Sequence, residues 1–239
     1  LTWIPQSNSE CWPSSCREAP RPVQMIRFAS LGSGSQGNAL LVDAGKTKVL
    51  LDCGFSARIT TARLARLGTV PGDLAAIVVT HEHADHVAGV FAFARNYQLT
   101  VYLTHGTYVA ASKGRATLPV CRLINGHTCF AIGGLEVWPF PVPHDAREPV
   151  QYAFRDGQHC LGVLTDSGSI TPHIVQVLGA CDGLVLECNH DQALLAASRY
   201  PVRLKQRIAG RFGHLENGQA AAFLRQVDTR RLQHLVAAH

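Results

Sequence analysis

Short apolar runs alternate with amphipathic stretches along this chain, and these two patterns predict strands and helices in turn. Strands are predicted at residues 26–31, 39–42, 49–51, 75–80, 99–103, 120–124, 128–132, 135–140, 150–155, 160–165, 183–187 and 235–238. Helices are predicted at residues 57–67, 84–97, 106–112, 171–178, 190–197, 201–209 and 217–227. In the last helix Ala220, Phe223, Leu224 and Val227 follow an i, i+3, i+4, i+7 spacing, and Asn217 is the predicted N-cap.

The order of these elements predicts an α/β fold. Strands and helices alternate in two successive halves, which favours two mixed β-sheets packed face to face with helices outside, an αββα sandwich. We expect residues 25–239 to form this single domain. Residues 1–24 are rich in proline and precede the only methionine, Met25, so we expect a disordered or non-native extension there. The chain stops at His239 within a predicted strand, and we expect the domain to be truncated at that point.

Composition narrows the class of protein. The chain is 46% hydrophobic, but no apolar run approaches the roughly 18–20 residues that span a bilayer, so we expect no membrane segment. The eight cysteines form no CxxC pair, and several lie in apolar runs where cysteine acts as a small hydrophobic residue. We therefore expect reduced thiols and a cytoplasmic protein.

The charge pattern leaves two interpretations open. The net charge of +5 is compatible with a polyanionic partner but does not establish one. A basic cluster precedes the last helix and consists of Arg199, Arg203, Lys205, Arg207 and Arg211. This cluster is either an ordinary solvated helix face or a track for the phosphate backbone of a nucleic acid.

The densest group of candidate ligands follows the apolar run at residues 75–79. His81, His83, Asp85 and His86 place three imidazoles and a carboxylate within six positions. Imidazole suits zinc and similar metals, and carboxylate neutralises charge, so the pattern predicts a metal site. One loop could not supply all four residues to a single closed tetrahedral site. The pattern therefore favours two adjacent metals over one structural zinc. A solvated histidine-rich turn is the alternative.

Other candidate ligands stand at the ends of predicted strands. His144, Asp166 and His239 each follow an apolar run, where a single such residue is more often a structural polar group. Together with the first four residues they complete a set of seven ligands for two metals. A second candidate segment is the glycine-serine turn at residues 32–38. Its backbone N–H groups, with Ser33, Ser35 and Asn38, could contact a substrate phosphate, or it could be a plain tight turn.

These residues carry a resemblance to a known family. The segment Thr-His-Glu-His-Ala-Asp-His at residues 80–86 resembles the HxHxDH signature of the metallo-β-lactamase fold, and Asp52 resembles the upstream aspartate motif. His144, Asp166 and His239 are similar to the later ligand motifs, in order. The resemblance implies that His81, His83 and His144 bind one metal and that Asp85, His86 and His239 bind the second. It also implies that Asp166 bridges the metals and that Asp52 orients the histidine loop.

Within that superfamily the chain resembles the YycJ-like (WalJ-like) group, which is related to RNase Z and to PhnP-type phosphodiesterases. Three segments carry this likeness: residues 31–38, residues 187–191 and residues 213–221. The resemblance implies that His214 is a proton donor or phosphate contact and that Glu187 orients it. His190, within the second segment, is a further candidate to line the site at the substrate phosphate.

The resemblance implies a function. We expect a hydrolase of phosphodiester bonds that uses two divalent metals, Zn²⁺ or alternatively Mn²⁺, and a hydroxide bridging them. Asp85 and Asp166 would hold the metals and receive a proton. The expected substrate is nucleic acid, DNA rather than RNA, and the expected activity is that of an exonuclease. The alternatives are a small-molecule hydrolase of a cyclic phosphodiester, thioester or lactam, and a non-enzymatic binding protein with the same fold.

Overall fold

The structure is a computed structural model that describes residues 25–239, so the predicted extension at residues 1–24 lies outside the described part. The strands of this part are β1 (Arg27–Gly32), β2 (Ala39–Ala44), β3 (Thr47–Leu51), β4 (Leu74–Val78), β5 (Thr100–Thr104), β6 (Cys121–Ile124), β7 (Phe130–Ile132), β8 (Leu135–Pro141), β9 (Val150–Arg155), β10 (Cys160–Leu164), β11 (Gly183–Glu187) and β12 (His234–Ala238). The helices are α1 (Ala57–Ala65), α2 (Ala84–Val87), α3 (Val90–Tyr97), α4 (His105–Ser112), α5 (Pro172–Leu178), α6 (Gln192–Ala197), α7 (Val202–Ile208) and α8 (Asn217–Gln226).

The strands form two mixed six-stranded sheets, one from each half of the described chain. The first sheet has the order β1-β2-β3-β4-β5-β6, and the second has the order β12-β11-β10-β9-β8-β7. Strands β3 to β6 run parallel to one another, as do β10 to β12, while the remaining pairs are antiparallel. The segment at residues 125–129, between β6 and β7, carries the chain from the first sheet to the second.

The alternation of side chains along each strand builds the layers. In β3, Val49 and Leu51 pack between the two sheets, whereas Leu50 faces the helices on the outer side. In β11, Val185 packs between the sheets and Leu184 faces α5 and α8. Because successive residues of a strand point to opposite faces, both sheets bury apolar residues on two sides. The predicted αββα sandwich is confirmed.

Most predicted bounds lie within two residues of the observed ones, and two differences have a clear structural cause. The helix predicted at residues 84–97 is divided into α2 and α3, because the N–H of Gly89 donates to the carbonyl of Cys53 instead of continuing the helix. A Cβ at this glycine would lie 1.9 Å from the carbonyl oxygen of Phe55, so only glycine permits this approach. The N-cap of α8 is Glu216, not Asn217, and it forms a capping box with Gln219.

The parallel strands of both sheets end at the same edge of the sandwich, where Asp52 and three of the candidate ligands follow them. Asp52 follows β3, His81 lies beyond β4, Asp166 follows β10 and His239 follows β12. Carboxyl ends of parallel strands are the usual place for a site in α/β folds, because loops from distant segments meet there. No helix within residues 25–239 has the length and apolar character needed to cross a membrane.

The buried cysteines lie away from this edge or point away from it. Cys53, Cys160 and Cys181 are buried free thiols. The thiol of Cys53 contacts the hydroxyl of Thr60 at 3.3 Å, inside the packing of α1, and burial raises its pKa to about 11. A neutral thiol in this position packs as a small apolar group rather than serving as a metal ligand.

Candidate metal centre

One group of three histidines meets at the edge of the sandwich. His81 extends from the end of β4, His83 is the N-cap residue of α2, and His144 follows β8. The ring centroid of His81 lies 4.5 Å from that of His83 and 4.8 Å from that of His144. Nδ1 of His83 and Nε2 of His144 are 3.3 Å apart. Nδ1 of His144 bonds the carbonyl oxygen of Gly213 at 2.9 Å, which leaves Nε2 directed at the other two rings.

A second group lies beside the first and is formed by Asp85, His86 and His239. Oδ2 of Asp85 is 3.5 Å from Nε2 of His86 and 3.6 Å from Nε2 of His239. The first two residues belong to the single turn of α2, and the third follows β12 of the other sheet. Two loops that are distant in sequence therefore supply one compact set of two imidazoles and a carboxylate.

Asp166 lies between the two groups. Its Oδ2 is 3.1 Å from Nε2 of His86, and its Oδ1 is 3.4 Å from Nε2 of His239. It also belongs, with His81 and His86, to a set whose potential ligand atoms all lie within 4.8 Å of one another. The backbone of Asp166 adopts a φ of 53°, a left-handed conformation that aspartate tolerates better than most residues.

The seven side chains fit a pair of divalent metals. Nε2 of His81, Oδ2 of Asp166 and Nε2 of His239 are buried and make no hydrogen bond within the described residues. A buried polar atom that makes no hydrogen bond is costly, and a bound cation would satisfy all three atoms. The donor set of imidazoles and carboxylates, with no thiolate among the four candidate groups, suits zinc or manganese.

Asp52 forms hydrogen bonds to the histidine loop, residues 80–86, and holds it in place. Its Oδ2 lies 2.8 Å from Nδ1 of His86, and the hydroxyl of Thr80 donates to the same oxygen at 2.8 Å. Its Oδ1 accepts the backbone N–H of Thr80, also at 2.8 Å. A hydrogen bond from Nδ1 to a carboxylate leaves Nε2 of His86 as the atom available for a ligand role.

Burial and the neighbouring carboxylates shift the pKa values of the histidines in the cluster in different directions. Burial alone would lower the pKa of His86, but the carboxylates of Asp166 and Asp52 outweigh it and raise the pKa well above its ordinary value. Burial likewise opposes the charge of His239, whereas the carboxylates of Asp85 and Glu187, each 3.6 Å from a ring nitrogen, raise its pKa to about 10. Burial dominates at His81, whose pKa is lowered well below its ordinary value. Imidazolium–carboxylate pairs thus stand where the metals are expected.

Beside the cluster, Glu187 orients His214. Oε1 of this fully buried carboxylate lies 2.8 Å from Nδ1 of His214, while Oε2 accepts the backbone N–H groups of Ser167 and Leu215. The ring of His214 stacks on that of His239 with centroids 5.2 Å apart. A carboxylate held by two backbone donors fixes the orientation of the imidazole next to the cluster, the arrangement typical of an acid–base pair.

The glycine-serine turn and His190 were both expected at a substrate phosphate, but they have different surroundings in the structure. The amide of the buried Asn38 donates to Oδ2 of Asp85 at 3.0 Å and closes its own turn through Gly34, so this side chain braces a candidate ligand rather than facing solvent. Ser33 and Ser35 are exposed, and the hydroxyl of Ser33 accepts the backbone N–H of His239. His190 bonds Asn189 at 3.2 Å and lies outside the candidate ligand groups.

Comparison with protein families shows to which family the chain belongs. Residues 47–235 match the family described as the Beta-lactamase superfamily domain. The chain belongs to the β-lactamase superfamily.

Among curated members of the superfamily, the chain is 35% identical over 216 residues to Exodeoxyribonuclease YycJ of Bacillus anthracis, a match that covers 90% of this chain and 82% of the relative. It is 34% identical over 210 residues to Exodeoxyribonuclease WalJ of Streptococcus pneumoniae, covering 86% of this chain and 78% of the relative. Among solved structures, a diphosphatase of the PhnP family superposes with a TM-score of 0.67 at 19% identity, covering 89% and 85% of the two chains, and shares the fold. The resemblance drawn from the sequence motifs is confirmed.

In this superfamily member, the structure adds residues that the sequence patterns did not single out for the site. The backbone oxygen of Asp145 lies 3.2 Å from Nε2 of His83, and its carboxylate pairs with Arg207 at 2.5 Å. Thr80 contacts Asp52, His81 and His86 through one hydroxyl. Both residues are direct neighbours of predicted ligands in sequence, and that adjacency was the available signal.

Proposed function

We propose that the protein is a metal-dependent hydrolase that cleaves phosphodiester bonds, and specifically an exonuclease acting on DNA. The observation that carries the proposal is the position of the Glu187–His214 pair directly beside the seven-residue cluster. An acid–base pair next to a metal centre suits hydrolysis with a poor leaving group, such as the sugar oxygen of a nucleotide. The relatives named exodeoxyribonucleases, which are matched over most of the chain, support the same class of substrate.

The proposed metal ligands follow from the two groups and the residue between them. One divalent ion would be held by His81, His83 and His144, the other by Asp85, His86 and His239, with Asp166 shared. Zn²⁺ is the ion that this donor set favours, and Mn²⁺ is the alternative. Bound divalent metals would supply acidified water and would stabilise the negative charge that develops on the phosphoryl oxygens. Asn38 and Asp52 are proposed to keep Asp85 and His86 in position.

The side chains around the centre have separate proposed tasks. Asp166 and Asp85 are the carboxylates available to receive a proton from the attacking water. His214 would donate a proton from Nε2 to the leaving oxygen of the sugar, since Glu187 engages its Nδ1 atom. Ser33 and Ser35 are exposed, and Ser33 contacts the backbone of His239; both serines, and His190, are proposed as contacts to a substrate phosphate.

The setting proposed for this activity is the cytoplasm. Cys53, Cys160 and Cys181 are buried thiols without disulfide bonds, which is typical of a reducing compartment. DNA is proposed as the partner, and the net charge of +5 is compatible with a polyanion.

The test is hydrolysis of end-labelled DNA and RNA of the same sequence by the metal-loaded protein, with Asp166→Asn as the inactive variant. Asparagine tolerates the left-handed backbone at this position, so the variant removes charge without forcing the loop to move. We expect the wild-type protein to shorten DNA from one end and the variant to lose most of that activity. Hydrolysis of only bis-p-nitrophenyl phosphate or a cyclic phosphodiester would instead establish a small-molecule hydrolase. Hydrolysis of none of these substrates would overturn the proposal.

A further inference from the structure

An open cleft of about 460 Å³ lies next to the metal centre but contains none of its candidate ligands. Its walls include Pro143, His127, His173, Arg211 and Phe212. The volume falls within the range of roughly 300–1,000 Å³ that is usual for small-ligand sites. The cleft therefore has room for one nucleotide unit beside the reacting centre.

The chain connects this cleft to the centre at two points. Pro143 directly precedes the candidate ligand His144, and its carbonyl oxygen accepts the N–H of Gly168 at 2.8 Å, two residues after Asp166. On the other side Phe212 stands two residues before His214. A group that fills the cleft is consequently held next to the side chains that are proposed to act on the phosphodiester.

The loop that carries Phe212 is rigidly built. The N–H of Gly213 donates to the carbonyl of Gly210 at 2.8 Å, and the N–H of His214 donates to the carbonyl of Ile208 at 2.9 Å. The carbonyl of Gly213 bonds His144, as described above. One face of the loop thus turns His214 towards the cluster while Phe212, which is 48% exposed, faces the cleft. The ring of Phe212 is therefore accessible to a ligand that enters the cleft.

The chemistry of the walls suits a nucleobase attached to a phosphate. The ring of Phe212 offers a face for stacking, and the guanidinium of Arg211 lies 4.7 Å from the centroid of that ring. The rings of His127 and His173, whose centroids lie 6.4 Å apart, are exposed and line the same cleft. Aromatic faces combined with cationic side chains are the usual means of holding unpaired bases without sequence preference.

We propose that this cleft is a subsite that holds the unpaired nucleobase of the nucleotide adjoining the scissile bond. Phe212 stacks on the base, and Arg211 contacts the backbone phosphate beside it. This inference rests on the proposed nuclease function and deepens it, since it assigns the protein a preference for a frayed or single-stranded end. Every base has a face that can stack, so the subsite tolerates any sequence.

The test compares Phe212→Ala with the wild-type protein on two labelled single strands, one intact and one with an abasic site at the nucleotide adjoining the cleavage position. Stacking on one aromatic ring predicts a loss of about tenfold in kcat/KM for the variant on the intact strand. The abasic strand costs the wild-type protein a similar factor, and combining both changes costs no more than either alone. Phe212→Trp keeps a stacking face and retains activity. Tyr97→Ala, at the far end of α3, is the matched control and leaves both substrates unaffected.

If the loss from Phe212→Ala and the loss from the abasic site multiplied when both changes were combined, the subsite would be overturned. Phe212 would then act without contacting the base. Equal activity of Phe212→Ala and the wild-type protein would also overturn it. Binding of a fluorescent single strand is measured in parallel, so that the subsite is tested separately from catalysis. A wild-type protein that binds the strand through Phe212 but does not cleave it would contradict the nuclease proposal alone. A protein that neither binds nor cleaves would contradict both.

Discussion

Nδ1 of His86 lies 2.8 Å from Oδ2 of Asp52, and both side chains are buried behind the cluster of candidate ligands. The contact fixes which nitrogen of the imidazole faces the cluster. Because Asp52 comes from the end of β3 and His86 from α2, the contact also locks the histidine loop onto the first sheet. The geometry of the centre therefore depends on a residue that is not itself a candidate ligand.

Asp52→Asn tests this dependence. Asparagine tolerates the left-handed backbone of this residue, whose φ is 59°, but its amide would donate to Nδ1 of His86 and move the imidazole proton to Nε2. We expect a loss of about 10- to 100-fold in metal affinity, the usual effect of removing such a partner. Competition with a chromogenic chelator measures it. Asp228→Asn, at an exposed pair with Arg230, is the control. Unchanged affinity in Asp52→Asn would show that His86 needs no such support.

The metal-free protein is expected to keep His239 protonated at pH 8. The nearby carboxylates of Asp85 and Glu187 outweigh the cost of burial and raise its pKa from 6.5 to about 10. The stability that this charge contributes is complete below pH 6.5 and is lost as the pH rises through about 10. Imidazole ¹⁵N NMR of chelator-treated protein measures the titration, with His239→Ala for assignment. A midpoint at or below 6.5 would contradict the arrangement of His239 with the two carboxylates.

His214→Ala is expected to slow the hydrolysis of different substrates to different extents, depending on their leaving groups. A general acid contributes about 10²- to 10⁴-fold, but only where the leaving oxygen needs a proton. DNA hydrolysis should therefore fall by about two orders of magnitude or more, whereas bis-p-nitrophenyl phosphate, whose leaving group is stable as an anion, should be affected far less. Metal content, measured alongside, should stay unchanged. Equal losses on both substrates would assign His214 to the metal centre instead of to proton transfer.

The basic cluster before α8 is expected to bind the DNA backbone. Arg207 already pairs with Asp145, so the exposed residues to test are Arg199 and Arg203. Replacing both with glutamine should weaken binding of a labelled single strand and reduce the slope of log K against log salt by about 0.7 for each phosphate that the variant no longer neutralises. Arg58→Gln, on the exposed side of α1, is the control. A salt dependence identical to that of the wild-type protein would leave the cluster as an ordinary solvated helix face.

The sequence predicted the fold and the gathering of the seven candidate ligands, for a physical reason. Strand periodicity is a local feature, and so is the placement of His144, Asp166 and His239 after apolar runs. Both can be identified from a single sequence. Parallel strands then bring such positions to one edge without further information. The metals themselves stay a prediction.

The features that were not predicted from the sequence depend on contacts between residues that are far apart in the chain. The division of the helix at Gly89 arises from the carbonyl of Cys53, which local helical periodicity does not reveal. The contact of Asn38 with Asp85 spans 47 positions, so a residue expected at the substrate phosphate instead braces a candidate ligand. The pairing of Asp145 with Arg207 is likewise a product of the folded chain.

The most direct test of the central claim is a titration of metal-free protein with Zn²⁺ or Mn²⁺, in which bound metal is counted by elemental analysis and hydrolysis of end-labelled DNA is followed at each step. The seven-residue cluster predicts that about two ions bind per chain and that hydrolysis rises until both are bound. Hydrolysis that proceeds at full rate in the metal-free protein, or a chain that binds no metal, would contradict a dinuclear hydrolase.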